Sequence, residues 1–368
     1  MKIDSKINFK TWVIPAMFLL VTCSPKTPIT LVNPGDTLRY PAEKHLKNVT
    51  QLTFGGNNAE AYWSFDNKQL VFQSDNSQWS NGCDQIFRLS PGKEDLKTQK
   101  PARISTGKGR TTCAYFLPGN KQILYASTHA AGDACPPAPE RNASGKYVWA
   151  VYESFDIYVS DLDGKIVKRL TDSPGYDAEG TVSPKGDKIV FTSVRDGDLD
   201  LYTMNLDGSG VRRVTQALGY DGGAFFSPDG KKLVFRASRP KTPAQQTEYL
   251  DLLHQGLVQP TEMEIFVCNV DGSDLKQITN LGKANWAPYY LPDNKRIIFS
   301  SNHTASRGYS FNLFVINEEG TGLEKVTHDQ TFDSFPMFSP NGQYLVFASN
   351  RFNGGTRDTN LFVAEWVD

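Results

Sequence analysis

The stretch DAEGTVSPKGDKIVFTSVRDGDLDLYTMNLDGSGVRRVT, residues 177–215, decides the fold. A short first run breaks at Ser183-Pro184-Lys185-Gly186, and the chain resumes as Ile189-Val190-Phe191. A third run, Leu201-Tyr202-Thr203-Met204, turns at Asp207-Gly208 into a fourth that ends at Thr215. Pro, Asp and Gly at the breaks supply the dihedrals of tight turns, and the β-branched and aromatic runs between them suit strands. The stretch reads as four antiparallel strands.

The unit recurs along the chain. Its first turn returns as Ser64-Phe65-Asp66-Asn67, Leu117-Pro118-Gly119-Asn120, Ser227-Pro228-Asp229-Gly230, Leu291-Pro292-Asp293-Asn294 and Ser339-Pro340-Asn341-Gly342. Each is followed by a run such as Leu70-Val71-Phe72 or Leu345-Val346-Phe347. Four strands per unit, repeating at about 45 residues plus insertions, predict the blades of an all-β propeller. Thr-terminated fourth strands are expected to end at Thr53, Thr106, Thr171, Thr215, Thr279 and Thr327. The first of these, Val49 to Thr53, has no first strand of its own, and the last unit stops after Asn360 to Trp366. The N-terminal strand should therefore complete the last blade, leaving six blades and no open edge.

On the pattern "LT…D…P.FSPDG..LVF.S.R…LY..N.DGS…R.VT", residues 49–368 resemble the TolB-like propeller repeat, best preserved over 172–232. The resemblance implies a six-bladed propeller. It also implies one of two kinds of function, since such propellers serve as periplasmic binding partners or as parts of enzymes, polysaccharide lyases among them. No G-x-S-x-G elbow of a hydrolase is present.

The N-terminus reads as an export signal. Lys2, Lys6 and Lys10 precede the apolar run Trp12 to Val21, which is too short to span a bilayer as a helix. Leu20-Val21-Thr22-Cys23 resembles a bacterial lipobox. Expected are a signal peptide over 1–22, a lipid on Cys23, a tether over 23–48 and the propeller over 49–368, placing the chain at the periplasmic or outer face of the envelope, the outer membrane above all. An ordinary signal peptide cut nearby is the alternative. The 39 basic and 40 acidic residues nearly cancel, so no global field draws nucleic acid or an anionic membrane.

In such blades the short turns share one face, and second-to-third connections share the other. That other face carries the insertions 77–84, 130–154, 240–262, 304–310 and 352–358, and a binding site is expected there, over the central channel. Six residues before each turn stand Asn58, Thr111, Asp177, Asp221, Asn285 and Asp333; two later stand Glu60, Cys113, Glu179, Gly223, Ala287 and Phe335. Past each second strand stand Asn76, His129, Arg195, Arg239, His303 and Arg351.

The recurring Asp and Arg residues fit hydrogen bonds between blades. The departures from the repeat are the sharper candidates, because a scaffold role demands sameness. Glu60 and Glu179 could hold a cation or a basic side chain, or cap loop amides. Arg110, Asp177, Asp221, Asp333, Tyr176, Tyr220 and Trp286 complete the ligand-binding set. Most aromatics near the mouth are expected to pack between blades.

Of Cys83, Cys113 and Cys135, two are expected to form a disulfide in an exported chain. Thiolate metal binding with His129 is the alternative, without a C-x-x-C pair to support it. Cys268 reads as a buried thiol.

Three functions remain open. One is a monomeric, lipid-anchored module that binds an envelope protein or peptide and requires no cofactor, a divalent cation at the mouth being compatible with its carboxylates. Another is an enzyme on a glycan or small ester, with His129, His303, Glu60, Glu179 and Arg110 as acid–base and binding groups. A scaffold whose mouth is plugged by the insertions 130–154 and 240–262 is a third.

Overall fold

The computed structural model describes residues 36–80, 82–139, 145–306 and 308–368. The expected signal peptide and Cys23 lie outside them. The first strands of six antiparallel sheets, Asn58–Trp63, Thr111–Phe116, Asp177–Val182, Asp221–Phe226, Asn285–Tyr290 and Asp333–Phe338, pack in a closed ring. Each begins a four-stranded blade; the third runs on through Lys188–Ser193, Asp200–Asn205 and Arg212–Arg213. The structure is the expected six-bladed propeller.

Each turn between first and second strands holds itself. In the fourth blade the Ser227 hydroxyl donates to Asp229 Oδ1 at 2.7 Å and accepts the Lys232 amide at 3.0 Å, with Gly230 at φ +67°. Fourth strands are tied by a hydroxyl: Thr215 Oγ1 accepts the Leu201 amide at 2.9 Å, and Thr171, Thr279 and Thr327 do the same in their blades. The first blade departs from the sequence expectation by one residue. There Ser105, not Thr106, accepts the Ile86 amide at 3.0 Å and is the buried member.

Closure runs as expected. Leu46–Gln51 pairs antiparallel with Asn360–Trp366, Leu46 opposite Trp366 and Gln51 opposite Phe362, and Thr53 Oγ1 accepts the Leu361 amide at 2.8 Å. The chain is already docked before this strand, within residues 36–45. Tyr40 stacks on Phe352 at 5.1 Å, and the fully buried Glu43 carboxylate receives both Nη atoms of Arg351, at 2.9 and 3.1 Å.

Inside each blade an aromatic pair bridges the second and third strands: Phe72 with Phe87, Tyr125 with Tyr158, Phe191 with Tyr202, Phe235 with Phe266, Phe299 with Phe314 and Phe347 with Phe362. The second-strand members are wholly buried, each contributing about 1.5–3 kcal/mol of transfer free energy. A flat side chain from the loop after the second strand covers every pair. Arg195, Arg239 and Arg351 lie 4.9–5.2 Å from a ring, His129 and His303 lie tilted against one at 4.4 and 4.5 Å, and Trp79 fills the place in the first blade.

The insertions occupy one face. The one expected as a loop over 240–262 contains a helix, α1 (Pro243–His254), whose N-terminus is a capping box between Thr242 and Gln245. Leu257–Val258 after it pairs antiparallel with Trp149–Ala150 of the second blade's insertion. The two insertions meet above the third blade, whose own second-to-third connection is short. Tyr249 of α1 donates to Asp198 of that connection at 2.5 Å.

Candidate functional site: a blind cup on the insertion-bearing face

Every first strand bulges at its third residue. Pairing with the second strand slips between residues 59 and 62, 112 and 115, 178 and 181, 222 and 225, 286 and 289, and 334 and 337. Glu60, Cys113, Glu179, Gly223, Ala287 and Phe335 all take positive φ, between 47° and 59°. A left-handed bulge re-aims its side chain. These six turn toward the axis and line a narrow throat of about 30 Å³.

Two residues further along each strand the channel is stopped. Tyr62 lies 5.6 Å from both Tyr115 and Phe225, and Phe225 lies 5.1 Å from Tyr289. This floor divides the channel into two blind recesses. The turn face holds one of about 340 Å³ ringed by Pro184, Pro228, Pro292 and Pro340. The insertion face holds a cup of about 490 Å³.

One carboxylate of the bulge ring is saturated. Glu179 Oε2 accepts Thr192 Oγ1 at 2.7 Å and the Gly223 amide at 2.9 Å, while Oε1 accepts the Tyr220 hydroxyl at 2.8 Å and Arg236 Nη2. Burial alone would raise this carboxyl, but the Arg236 charge and these bonds outweigh it and hold it below its ordinary range. Arg236 in turn lies over the rings of Tyr220 and Trp149, at 5.1 and 5.4 Å. Gly222 and Gly223 make the room, since a side chain at Gly223 would collide with Arg236.

Glu60 is the opposite case. Its Oε2 is sealed from solvent and has no hydrogen-bond partner; the Cys113 thiol is its neighbour in the bulge ring. Burial first, then repulsion from Glu179, pushes the carboxyl up to about 7. The Cys113 thiol is pushed well above its usual range by burial and by the same two carboxylates.

Aromatic residues wall the cup: Trp149, Tyr152, Tyr176, Tyr220, Trp286 and Phe332. Trp286 stacks on Phe311 at 4.4 Å and donates its indole N–H to Pro260 O at 2.9 Å. A disulfide between Cys83 and Cys135 ties the first two insertions together. Beside it Arg110, which also lines the cup, pairs with Asp84 at 2.5 Å and reaches Cys135 Sγ at 3.6 Å.

The structure thus gathers Glu60, Glu179, Arg110, Tyr176, Tyr220 and Trp286 in one cavity. Asp177, Asp221 and Asp333 lie outside it, buried against Arg195, Arg239 and Arg351 at 2.9, 2.5 and 3.3 Å. These pairs sit within single blades, not between blades as expected, because each Arg folds back over its own aromatic pair. His129 and His303 are also outside the cup. They take the same covering role, their Nδ1 atoms bonded to Ser127 and Ser301 Oγ at 2.8 Å, as Arg195 Nε bonds Ser193. Burial, with nearby basic residues, lowers both imidazoles.

Cys83 and Cys135 being paired, no thiolate site forms with His129. Among the described residues no three His, Cys, Asp or Glu side chains converge for a metal ion. Cys113 and Cys268 are buried free thiols.

Arg236 and Trp149 were missed in the sequence, and one of them was findable. Arg236 stands where the other second strands carry Gln73, Ala126, Thr192, Ser300 and Ala348. A charge among small and neutral residues departs from the repeat as plainly as Glu60 does. Trp149 lies in an insertion with no repeat to compare.

Residues 145–256 match the family model of the TolB beta propeller domain. Comparison with curated proteins finds no match. Among solved structures, the putative TolB of Agrobacterium tumefaciens is 20% identical with a TM-score of 0.55, over 85% of this chain and 91% of that one. A gluconolactonase of Xanthomonas campestris is 14% identical with a TM-score of 0.54, over 88% and 91%. An oligogalacturonate lyase of Vibrio parahaemolyticus is 14% identical with a TM-score of 0.50, over 88% and 94%. At these identities the likeness is one of fold. With six four-stranded blades and a ring closed by its N-terminal strand, the chain is a six-bladed β-propeller, part of which is similar to the TolB beta propeller domain.

Proposed function

We propose that this propeller is a binding module of the cell envelope that takes a protruding segment of a partner protein into the cup. One observation carries the reading: two insertions from separate blades pair with each other to wall a blind cavity over a stopped channel. A rigid scaffold that builds a recess on one face suits recognition. Export is supported by the basic and apolar order of residues 2–21, and the disulfide suits an oxidising compartment. A lipid on Cys23 would hold the module at the membrane. Mass spectrometry of the mature N-terminus would show a diacylglyceryl adduct there; an unmodified N-terminus elsewhere would remove the anchor.

The binding reading is tested by site-specific photocrosslinking in the native envelope. A crosslinker at Tyr147, exposed on the cup's rim, should capture a partner, and one at Lys185, exposed on the turn face, should not. Capture from Lys185 alone would sink the assignment.

A second reading, catalysis on a uronate-containing oligosaccharide or a lactone, draws on one observation: Glu60 is pushed up and Glu179 down within one cavity. Glu179 already accepts four hydrogen bonds, which suits a fixed wall better than a reacting group. A screen on such substrates, with Glu60→Gln as the control, would detect turnover.

A further inference from the structure

The charges around the cup nearly cancel in pairs. Glu179 is neutralised by Arg236 and Asp84 by Arg110, leaving Glu60 as the ionisable carboxyl in the described lining without an ionic partner. Its Oε2 is sealed and unbonded, and the bulge at Glu60 aims the side chain into the throat. Above it stand the rings of Trp149, Tyr176, Tyr220 and Trp286.

We propose that the cup binds a primary ammonium group on a slender apolar stem, with Glu60 as its counter-ion. This rests on the insertion-bearing face being the binding face. Aromatic faces attract cations and their bodies accept methylenes. The cup already shows this chemistry, since Arg236 lies over Trp149 and Tyr220. A guanidinium offers five donors in a fixed fork and asks for more acceptors than one carboxyl supplies, whereas an ammonium has three. A divalent cation asks for six or more oxygens, and no three acidic side chains converge among the described residues. An anion would meet the wrong charge. The ammonium could come from a lysine of the partner segment or from a free diamine.

Calorimetry on the whole protein separates these. The probes are acetyl-Gly-Lys-Gly-amide, its norleucine counterpart, and 1,5-diaminopentane, titrated into wild type and Glu60→Gln with melting curves to verify the fold. The lysine peptide should bind about tenfold or more tightly than the norleucine peptide, as expected for one charge-assisted contact, and Glu60→Gln should erase the difference. Glu60-dependent binding of the diamine without either peptide keeps the ammonium site and removes the peptide reading. Equal binding of both peptides keeps the peptide reading and overturns the ammonium site. A lysine preference unchanged in Glu60→Gln, or no binding of any probe at roughly 10 mM, overturns it too. Should Glu60→Gln fail to fold, wild type serves alone: the lysine preference should fade as pH drops below about 7, with Cys113, Glu179, Arg236 and Asp84 the other groups facing Glu60. A preference flat in pH would overturn the site.

Discussion

Glu60 and Glu179 occupy equivalent bulges two blades apart, and their surroundings drive them in opposite directions. Glu179 has four hydrogen bonds, one of them from a guanidinium; Glu60 has a thiol beside it. The cost of the second arrangement depends on pH. Glu60 titrates at about 7 in the fold, against an ordinary 4.5. Between those values the folded chain holds a proton that the unfolded chain has lost, so this group makes stability fall as pH rises, and the loss levels off above 7. Its size is at most about 3 kcal/mol. Asp221, pushed up to about 7 by burial against the pull of Arg239, contributes with the same sign. Glu60→Gln should therefore flatten only part of the slope between pH 5 and 7 and be more stable than wild type at pH 8, by urea denaturation. An unchanged slope would mean that the carboxyl is solvated.

Arg351 makes the complementary case. Its side chain is wholly buried between Glu43 and Asp333, also wholly buried. Removing it strands two carboxylates, so Arg351→Met should cost about 3–5 kcal/mol in chemical denaturation. A change within about 0.5 kcal/mol would show that this buried cluster does not hold the closure together.

At the level of elements, the walls of the cup depend on two connections between insertions: the pairing of Leu257–Val258 with Trp149–Ala150, and the disulfide. The bridge closes a sequence separation of 52 residues, and constraining such a loop stabilises by about 2–4 kcal/mol. Reduction, or Cys83→Ser with Cys135→Ser, should lower the urea midpoint accordingly and bring forward proteolysis within 130–154. Equal stability with and without reductant would place the bridge in a segment that unfolds on its own. The helix in the fourth blade's insertion was legible, since Thr242-Pro243-Ala244-Gln245 is a capping box with Pro at the first turn. The bulges were not. A register slip leaves no mark when its residues are as unlike as Glu60, Gly223 and Phe335. The covering side chains hid for a related reason: Arg, His and Trp share flatness rather than charge, and in the first blade Trp79 stands three residues past the aligned Asn76.

For the whole molecule, the blade count and the closure were readable because both are arithmetic on repeats: six turns, and one fourth strand too many at the start for one too few at the end. Deleting residues 46–53 would strip the last blade of its outer strand, leave the Asn360–Trp366 edge unpaired and remove the buried Leu46 and Val49. Aggregation or a large fall in melting temperature is expected, read by size-exclusion chromatography and calorimetry. A truncated chain that melts like the full one would mean that the ring closes without that strand. The inner bulges carry a different consequence. Their position is set by backbone pairing, and the residues found there already range from Gly to Phe. The throat is therefore a dial of six settings on a fixed chassis, and selectivity for a new ligand can be rewritten one blade at a time while the ring that holds the settings stays as it is.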